Sequence, residues 1–226
     1  RGRAVAHLSA GDASVAGLQG VFGGTFNPVH FGHLRSALEL VESLQMEHLR
    51  LMPSARPPHR EAPDCSAEHR AAMLQLAVAG EPRLSCDPRE LQRSGKSYTI
   101  DSLLELRHEL GEEAGLCMVL GCDALLDIAE WHRWQALLDC AHIIVLARPG
   151  WVLPQSGKVA QWLAAHRLED SAALRRRPAG GILITELRPL AISSTEIREL
   201  LQRRRSARYL LPEPVLDYIQ RNSLYQ

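Results

Sequence analysis

The sequence predicts an α/β fold: a doubly wound parallel sheet with helices on both faces and a small C-terminal helical part. Short apolar runs alternate with segments of helical periodicity along nearly the whole chain, which is the pattern of βαβ units. The run GLCMVLG at 115–121 is continuously apolar, as expected of a strand that is buried on both faces. A length of 226 residues suits one domain, which we place at 18–226, after a leader at 1–17 that we expect to be flexible or a cloning remnant.

The first half of the chain predicts three strands, at 18–22, 48–54 and 83–87, and three helices, at 31–44, 66–79 and 97–110. Leu34, Leu38, Val41 and Leu44 recur at helical spacing after the first strand. Ser66 stands where it can cap the second helix. Between the second strand and this helix, SARPPHREAPD is rich in proline and predicts a loop at 54–64.

The second half predicts three more strands, at 115–121, 141–147 and 181–187. Two helices follow: one opens with STEIRELLQRR, and PEPVLDYIQRN forms the other, with Pro214 in its first turn. The pattern is weakest over 151–180. The arginine runs at 175–177 and 203–205 read as solvated faces, with a phosphate-facing role as the alternative.

Composition excludes several classes of protein. The net charge is zero, so a general affinity for nucleic acid or an anionic membrane is not indicated. No apolar run approaches the roughly 20 residues of a membrane span. Five cysteines without a C-x-x-C pair indicate a reduced, cytoplasmic protein. The sequence does not indicate an oligomeric state.

The stretch GGTFNPVHFGHL at 23–34 has the composition of an anion-binding turn. Gly23 and Gly24 fall at the end of the first strand, where ligands of parallel sheets collect and where a missing Cβ lets the backbone approach them. His30 and His33 bracket the start of the next helix, three residues apart, so both side chains can lie on one face. The free N–H groups and the positive dipole end of that helix are expected to face a phosphate.

Other interpretations of this turn are weaker. It lacks G-x-G-x-x-G and the G-K-[ST] of a P-loop, and no third ligand stands at a zinc spacing. A second turn supports the phosphate interpretation: AISSTEIR at 191–198 follows a strand and opens a helix with three hydroxyl residues and Arg198. Taken alone, that turn would be an ordinary helix cap.

These motifs resemble a known family. GTFNPVHFGH resembles the G-x-F-x-P-x-H-x-G-H signature of the nucleotidyltransferase superfamily, and ISSTEIR resembles its second signature, I-S-S-T-x-x-R. With SARPPHR, RSGKSYTIDSL, VLGCDAL, WHRW, IIVLARPG and LLPEPVLDYI in order, the chain from about 18 onward resembles the bacterial nicotinate-nucleotide adenylyltransferases. The resemblance implies a Rossmann-like fold and adenylyl transfer from ATP to nicotinate mononucleotide in NAD biosynthesis.

The resemblance also implies roles for individual residues. The catalytic residues would be His30, His33 and Arg198, and Mg²⁺ would arrive on the ATP phosphates without a dedicated protein site. His59 and Arg60 would act as a movable cationic arm on the proline-rich loop. The full ATP set is Gly23, Gly24, Thr25, Phe26, His59, Arg60, Gly121, Asp123, Ile192, Ser193, Ser194 and Thr195. The mononucleotide set is Thr99, Trp131, His132 and Arg148. Two residues have a structural alternative: Asp123 of the ATP set could be a helix cap, and the nearby Trp134 could be a core aromatic.

Three alternatives remain at this level. One is a sister adenylyltransferase acting on the amide mononucleotide or on phosphopantetheine. Another is a nucleotide-binding module without catalysis, against which the intact histidine pair and Arg198 argue. The last is a fragment of a class I aminoacyl-tRNA synthetase, whose lysine-rich K-M-S-K-S-like loop is missing and whose tRNA-binding charge is absent here.

Overall fold

A computed structural model describes residues 17–55, 65–188 and 190–226. Its centre is a six-stranded sheet in the order β3-β2-β1-β4-β5-β6, in which every neighbouring pair is parallel. The strands are β1 (Leu18–Gly24), β2 (Met46–Pro53), β3 (Leu84–Cys86), β4 (Gly115–Gly121), β5 (His142–Ala147) and β6 (Ile182–Glu186). The doubly wound, Rossmann-like fold predicted from the sequence is therefore confirmed.

The helices of the described residues fall between and after the strands. They are α1 (Phe31–Ser43), α2 (Ala67–Val78), α3 (Arg89–Gln92), α4 (Thr99–Leu110), α5 (Cys122–Leu126), α6 (Leu137–Cys140), α7 (Gly157–His166), α8 (Ser194–Gln202) and α9 (Glu213–Arg221). Short 3₁₀ turns lie at Ile128–Glu130, Trp134–Ala136 and Ser171–Arg175. None of the described helices is long and apolar enough to cross a membrane.

The predicted elements are confirmed, with shifted ends. Ser66 caps α2 by accepting a hydrogen bond from the His69 N–H at 3.3 Å, and Pro214 lies in the first turn of α9. The sequence did not predict α3 or α7. Helix α7 buries only Trp162 and Leu163, so its apolar stripe is too narrow to stand out from the surrounding loop.

The sheet is covered on both faces, as the side chains of β4 show by alternating between two apolar clusters. Leu116, Met118 and Leu120 belong to one apolar cluster, whereas Cys117 and Val119 belong to the other. Successive side chains of a strand point to opposite faces, so the two clusters are the two cores of the molecule. Helices α1, α2, α8 and α9 pack into one core and α4 to α7 into the other.

Strands β1 and β4 form the switch point of the sheet, because β2 and β3 extend from β1 in one direction and β5 and β6 from β4 in the other. The connections that leave the two central strands diverge, and a crevice opens beyond their carboxyl ends. Gly23 and Gly24 end β1 there, and Gly121 ends β4.

A buried arginine closes the opposite end of the sheet. Arg107 of α4 is 6% exposed and donates to the carbonyl oxygens of Cys140, Gly111, Ala114 and Pro178 at 2.6–3.1 Å. One side chain thereby satisfies the loops before β4, β5 and β6. Arg107 therefore stabilises the end of the sheet that lies opposite the crevice.

Candidate active site

The turn between β1 and α1 places two histidines at the mouth of the crevice. His30 is the N-cap of α1, with extended backbone at φ −148°, and His33 is the third residue of the helix. Their rings stack with centroids 3.7 Å apart and planes inclined by 28°. Phe26 meets the His33 ring edge-on at 5.0 Å and fixes it from another side. The prediction that both histidines share one face of the turn is confirmed.

Hydrogen bonding and burial keep the pair neutral. The backbone N–H of His30 donates to Nδ1 of His33 at 3.3 Å, so the proton of a neutral His33 ring resides on Nε2. Burial lowers the pKa of His30 to about 4. Burial, followed by the charge of His30, lowers the pKa of His33 to about 3.

Glycine at position 32 lets the two signature turns meet. A Cβ there would lie 2.9 Å from Cε1 and Nδ1 of His30 and 3.3 Å from the carbonyl oxygen of Ile192. Those distances are shorter than normal carbon contacts, so a larger residue would displace the histidine or separate the turns. The spacing of the H-x-G-H motif thus follows from packing.

The second turn is bonded directly to the first. Ser193 caps α8 by accepting from the Glu196 N–H at 3.1 Å, and the Ser194 hydroxyl donates to the carbonyl of Pro28 at 2.9 Å. Arg198 donates to the carbonyl of Asn27 at 2.8 Å and to the Thr195 hydroxyl at 3.3 Å. Histidines, hydroxyls and a guanidinium therefore converge on one patch.

The N-terminus of α1 offers fewer free backbone N–H groups to an anion than the sequence predicted. The Phe31 N–H of α1 donates to the carbonyl of Leu210 at 3.0 Å, and the His33 N–H turns back to the His30 carbonyl at 3.0 Å. The expectation of free N–H groups at this end was therefore wrong for these two donors. Leu210 lies 179 positions from Phe31, and no local pattern marks it as a partner.

A buried cation supports the turn from below. Arg70 of α2 is 1% exposed and donates to the carbonyl of Thr25 at 2.7 Å and to that of Ala55 at 3.3 Å. Burial lowers its pKa, and its Nε has no partner among the described residues. Its positive charge lies directly behind the turn, where it favours an anion in front.

A cavity of about 640 Å³ lies at the switch point, and its lining reaches the turn at Gly23–Thr25 but does not include His30, His33 or Arg198. Gly23, Gly24 and Thr25 line it from β1, and Gly121 lines it from β4. A Cβ on Gly23 or Gly121 would meet nothing within 4 Å, so both glycines face open space. The volume suits a nucleotide-sized ligand.

The far end of the cavity contains most of the residues predicted for the mononucleotide. Thr99, Trp131 and His132 line it together, and the Tyr98 ring lies 4.4 Å from that of His132. Among the described residues, no acceptor takes the backbone N–H of His132 or of Arg133, where φ is +50°. His132 lines the cavity and Arg133 follows it without lining it, so these two amides are the candidate donors at this end.

Several predicted residues lie elsewhere. Arg148 is exposed and pairs with Asp123 at 2.8 Å, and neither lines the cavity. Asp123 is not the cap of α5, because the N-cap is Gly121. Trp134 packs edge-on against Trp162 at 4.9 Å, as a core aromatic does. The predicted cationic arm, His59 and Arg60, lies outside the described residues.

Some cavity residues were missed by sequence reasoning. Lys96 and Glu90 line the far end, and burial raises the pKa of Glu90, which accepts a hydrogen bond from Ser102 at 3.2 Å. Their only sequence signal is their place beside the SYT segment. Within the described ranges, no group of three or more histidine, cysteine, aspartate or glutamate side chains could hold a metal ion.

Comparison with known sequences gives strong matches. The cytidylyltransferase-like family model matches residues 21–200. A curated protein of Aeromonas salmonicida (strain A449), named "Probable nicotinate-nucleotide adenylyltransferase", is 49% identical over 92% of this chain and 96% of its own length. A protein of the same name from Pseudomonas aeruginosa (strain UCBPP-PA14) is 50% identical over the same shares.

Comparison with solved structures shows the same fold. A Plasmodium falciparum nicotinic acid mononucleotide adenylyltransferase complexed with NaAD matches with a TM-score of 0.67 at 18% identity, over 93% of this chain and 98% of that one. The enzyme complexed with APC matches with a TM-score of 0.64 over the same shares. At this identity the likeness concerns the fold.

The lowered pKa of His33 predicts a pH-dependent stability. Above its ordinary value of 6.5, the folded and unfolded states both hold a neutral ring. As the pH falls from 6.5 toward about 3, only the unfolded state takes up the proton, so the free energy of unfolding decreases. His33→Asn removes this titration and keeps an oxygen acceptor for the His30 N–H. It should reduce the slope by up to about 1.4 kcal/mol per pH unit.

Urea unfolding of both proteins at several pH values between 4 and 7 measures this slope. The control is His108→Asn, the same substitution at a solvent-exposed histidine of α4. Equal slopes for His33→Asn and the wild type would contradict a buried, neutral His33.

Proposed function

This chain belongs to the cytidylyltransferase-like family and, within it, to the nicotinate-nucleotide adenylyltransferases, and we propose that it forms nicotinate adenine dinucleotide and pyrophosphate from ATP and nicotinate mononucleotide. The observation that carries the proposal is the joining of two anion-friendly turns beside one nucleotide-sized cavity. The reaction is a step of NAD biosynthesis. The five cysteines, an odd number with no C-x-x-C pair, are typical of a reducing compartment and support a cytoplasmic site for it.

The chemistry calls for positioning more than for proton transfer. The phosphate of the mononucleotide attacks the α-phosphorus of ATP in line, a P–O bond forms, and the bond to pyrophosphate breaks. The nucleophile is already an oxyanion and needs no general base. Because both reactants are anions, the enzyme has to hold them together and stabilise the charge that develops on the oxygens around phosphorus.

The neutral histidines suit that task. His33 presents an Nε2–H because its Nδ1 is occupied by the His30 N–H. We assign the ATP phosphates to His30 and His33, and the leaving pyrophosphate to Arg198 with Ser194 and Thr195. A donor that is uncharged in the empty site avoids the cost of keeping a buried cation without a ligand.

The remaining ATP contacts follow the edges of the cavity. Gly24, Thr25 and Phe26 offer backbone to phosphate and ribose, and Gly121 leaves room for the adenosine at the end of β4. Mg²⁺ enters as part of the substrate, bound to the ATP phosphates and mostly hydrated.

The far end of the cavity takes the mononucleotide. Trp131 offers a flat face to the pyridine ring, and the Thr99 hydroxyl stands at the start of α4. The N–H groups of His132 and Arg133 are available to the carboxylate, and Lys96 adds a positive charge to the same wall. Arg148, also predicted for the mononucleotide, pairs with Asp123 at the surface, and an exposed pair of this kind can open to admit a ligand.

Removing either charge-stabilising side chain should abolish most of the activity. His33→Ala and Arg198→Ala are each expected to lower kcat by about 10²–10³-fold, the usual cost of one aligned donor. Release of pyrophosphate under saturating ATP and nicotinate mononucleotide measures it. Arg203→Ala, an exposed arginine at the end of α8, is the matched control and should retain full activity. A folded His33→Ala or Arg198→Ala enzyme with wild-type kcat would refute the assigned mechanism.

The acid mononucleotide should be preferred to its amide. A carboxylate only accepts hydrogen bonds, whereas an amide NH₂ would place a donor against the donors of the 132–133 turn. One buried unpaired donor costs about 1–3 kcal/mol, so kcat/KM should differ by roughly 5- to 150-fold. Measurement of kcat/KM for both mononucleotides at equal ATP tests this. A ratio near one would overturn the substrate assignment and leave adenylyl transfer intact.

A further inference from the structure

Tyr225 reaches the catalytic turn from the opposite end of the chain. Its hydroxyl donates to Oδ1 of Asn27 at 2.6 Å across a separation of 198 positions. Tyr225 and Asn27 are each 7% exposed, so the contact is closed to solvent. The backbone at Tyr225 has φ +60°, and the Leu224 N–H donates to the carbonyl of Ile219 at 3.0 Å, which ties this segment to α9.

Asn27 is held from two sides. Its side chain accepts from Tyr225, and its carbonyl oxygen accepts from Arg198 at 2.8 Å. Because both acceptors belong to one residue, the Tyr225 hydrogen bond helps to hold the segment whose carbonyl oxygen accepts from Arg198. The neighbouring Phe26, at φ +49°, packs on His33 and extends the coupling to the histidine pair.

We propose that Tyr225 is a positioning residue for adenylyl transfer, acting through Asn27 on Arg198. This inference rests on the function proposed above. Without the hydroxyl, Oδ1 of Asn27 would be buried and unpaired, which is unfavourable, so the side chain and the adjoining backbone of Asn27 would shift. A small shift of Arg198 would then misalign the charge that it offers to the leaving pyrophosphate, and catalysis is sensitive to displacements below 1 Å.

The surroundings keep the hydroxyl as a donor. Burial raises the pKa of Tyr225, as does the neighbouring thiol of Cys65, so the phenol remains protonated. The buried guanidinium of Arg70 lies close enough to act on the same ring electrostatically. Tyr225 therefore belongs to a polar cluster behind the turn and does not line the cavity.

The test compares Tyr225→Phe with Tyr218→Phe. Each variant loses one tyrosine hydroxyl, but that of Tyr218 lies 2.8 Å from Nδ1 of His69, on the α2–α9 contact. We expect Tyr225→Phe to lower kcat about tenfold with the KM for the mononucleotide unchanged, and Tyr218→Phe to retain kcat. Wild-type kcat in Tyr225→Phe, or an equal loss in both variants, would overturn the inference.

A double-mutant cycle separates positioning from general destabilisation. If Tyr225 acts through Arg198, then Tyr225→Phe added to Arg198→Lys should lower kcat by less than about twofold. The same tenfold loss in both backgrounds would show that Tyr225 does not act through Arg198.

An NMR measurement keeps the inference testable even if the proposed function fails. The Nε–H signal of Arg198, assigned by its disappearance in Arg198→Lys, should shift in Tyr225→Phe and not in Tyr218→Phe. An unmoved signal would contradict the inference independently of activity. Wild-type protein that makes no dinucleotide while this signal shifts would refute the proposed function and uphold the coupling.

Discussion

The hydrogen bond from the Arg198 guanidinium to the Asn27 carbonyl is the contact on which this site depends. It joins residues 171 positions apart, and with the Ser194–Pro28 bond it fixes the two signature turns to each other. Neither turn is a complete anion site alone, since the first provides imidazoles and the second provides hydroxyls and the guanidinium of Arg198. The sheet serves this junction by bringing the end of β1 and the start of α8 to the same edge.

The junction combines charged donors, which are arginines, with neutral donors, which are histidines. Arg198 and the buried Arg70 are always cationic, whereas burial lowers the pKa of His30 to about 4 and that of His33 to about 3. A site with four permanent cations would repel itself when empty. Neutral imidazoles donate hydrogen bonds to phosphate at no such cost, which suits an enzyme that must also release two anionic products.

Local patterns predicted the six strands, most of the helices and the two turns, because strand ends, helix starts and an i, i+3 spacing depend on neighbouring residues. Gly23, Gly121 and the His30–His33 stack follow from such patterns: the two glycines line one cavity, and the two rings stack at the adjoining turn. Arg70 and Tyr225 could not be found in this way. Their partners, Thr25 and Asn27, lie 45 and 198 positions away, and an arginine in a helix or a tyrosine near a chain end has no distinctive local signal. Arg148 was assigned to the mononucleotide by resemblance, and only the fold reveals its pairing with Asp123.

The central claim is that the histidines donate hydrogen bonds to the reacting phosphates and never bond covalently to phosphorus. A neutral imidazole is also a nucleophile, so the alternative is a nucleotidyl-histidine intermediate. The stereochemistry at phosphorus separates the two routes directly, with ATP carrying sulfur at the α-phosphorus in a single configuration. One in-line displacement predicts inverted configuration in the dinucleotide product, and retained configuration would contradict the account.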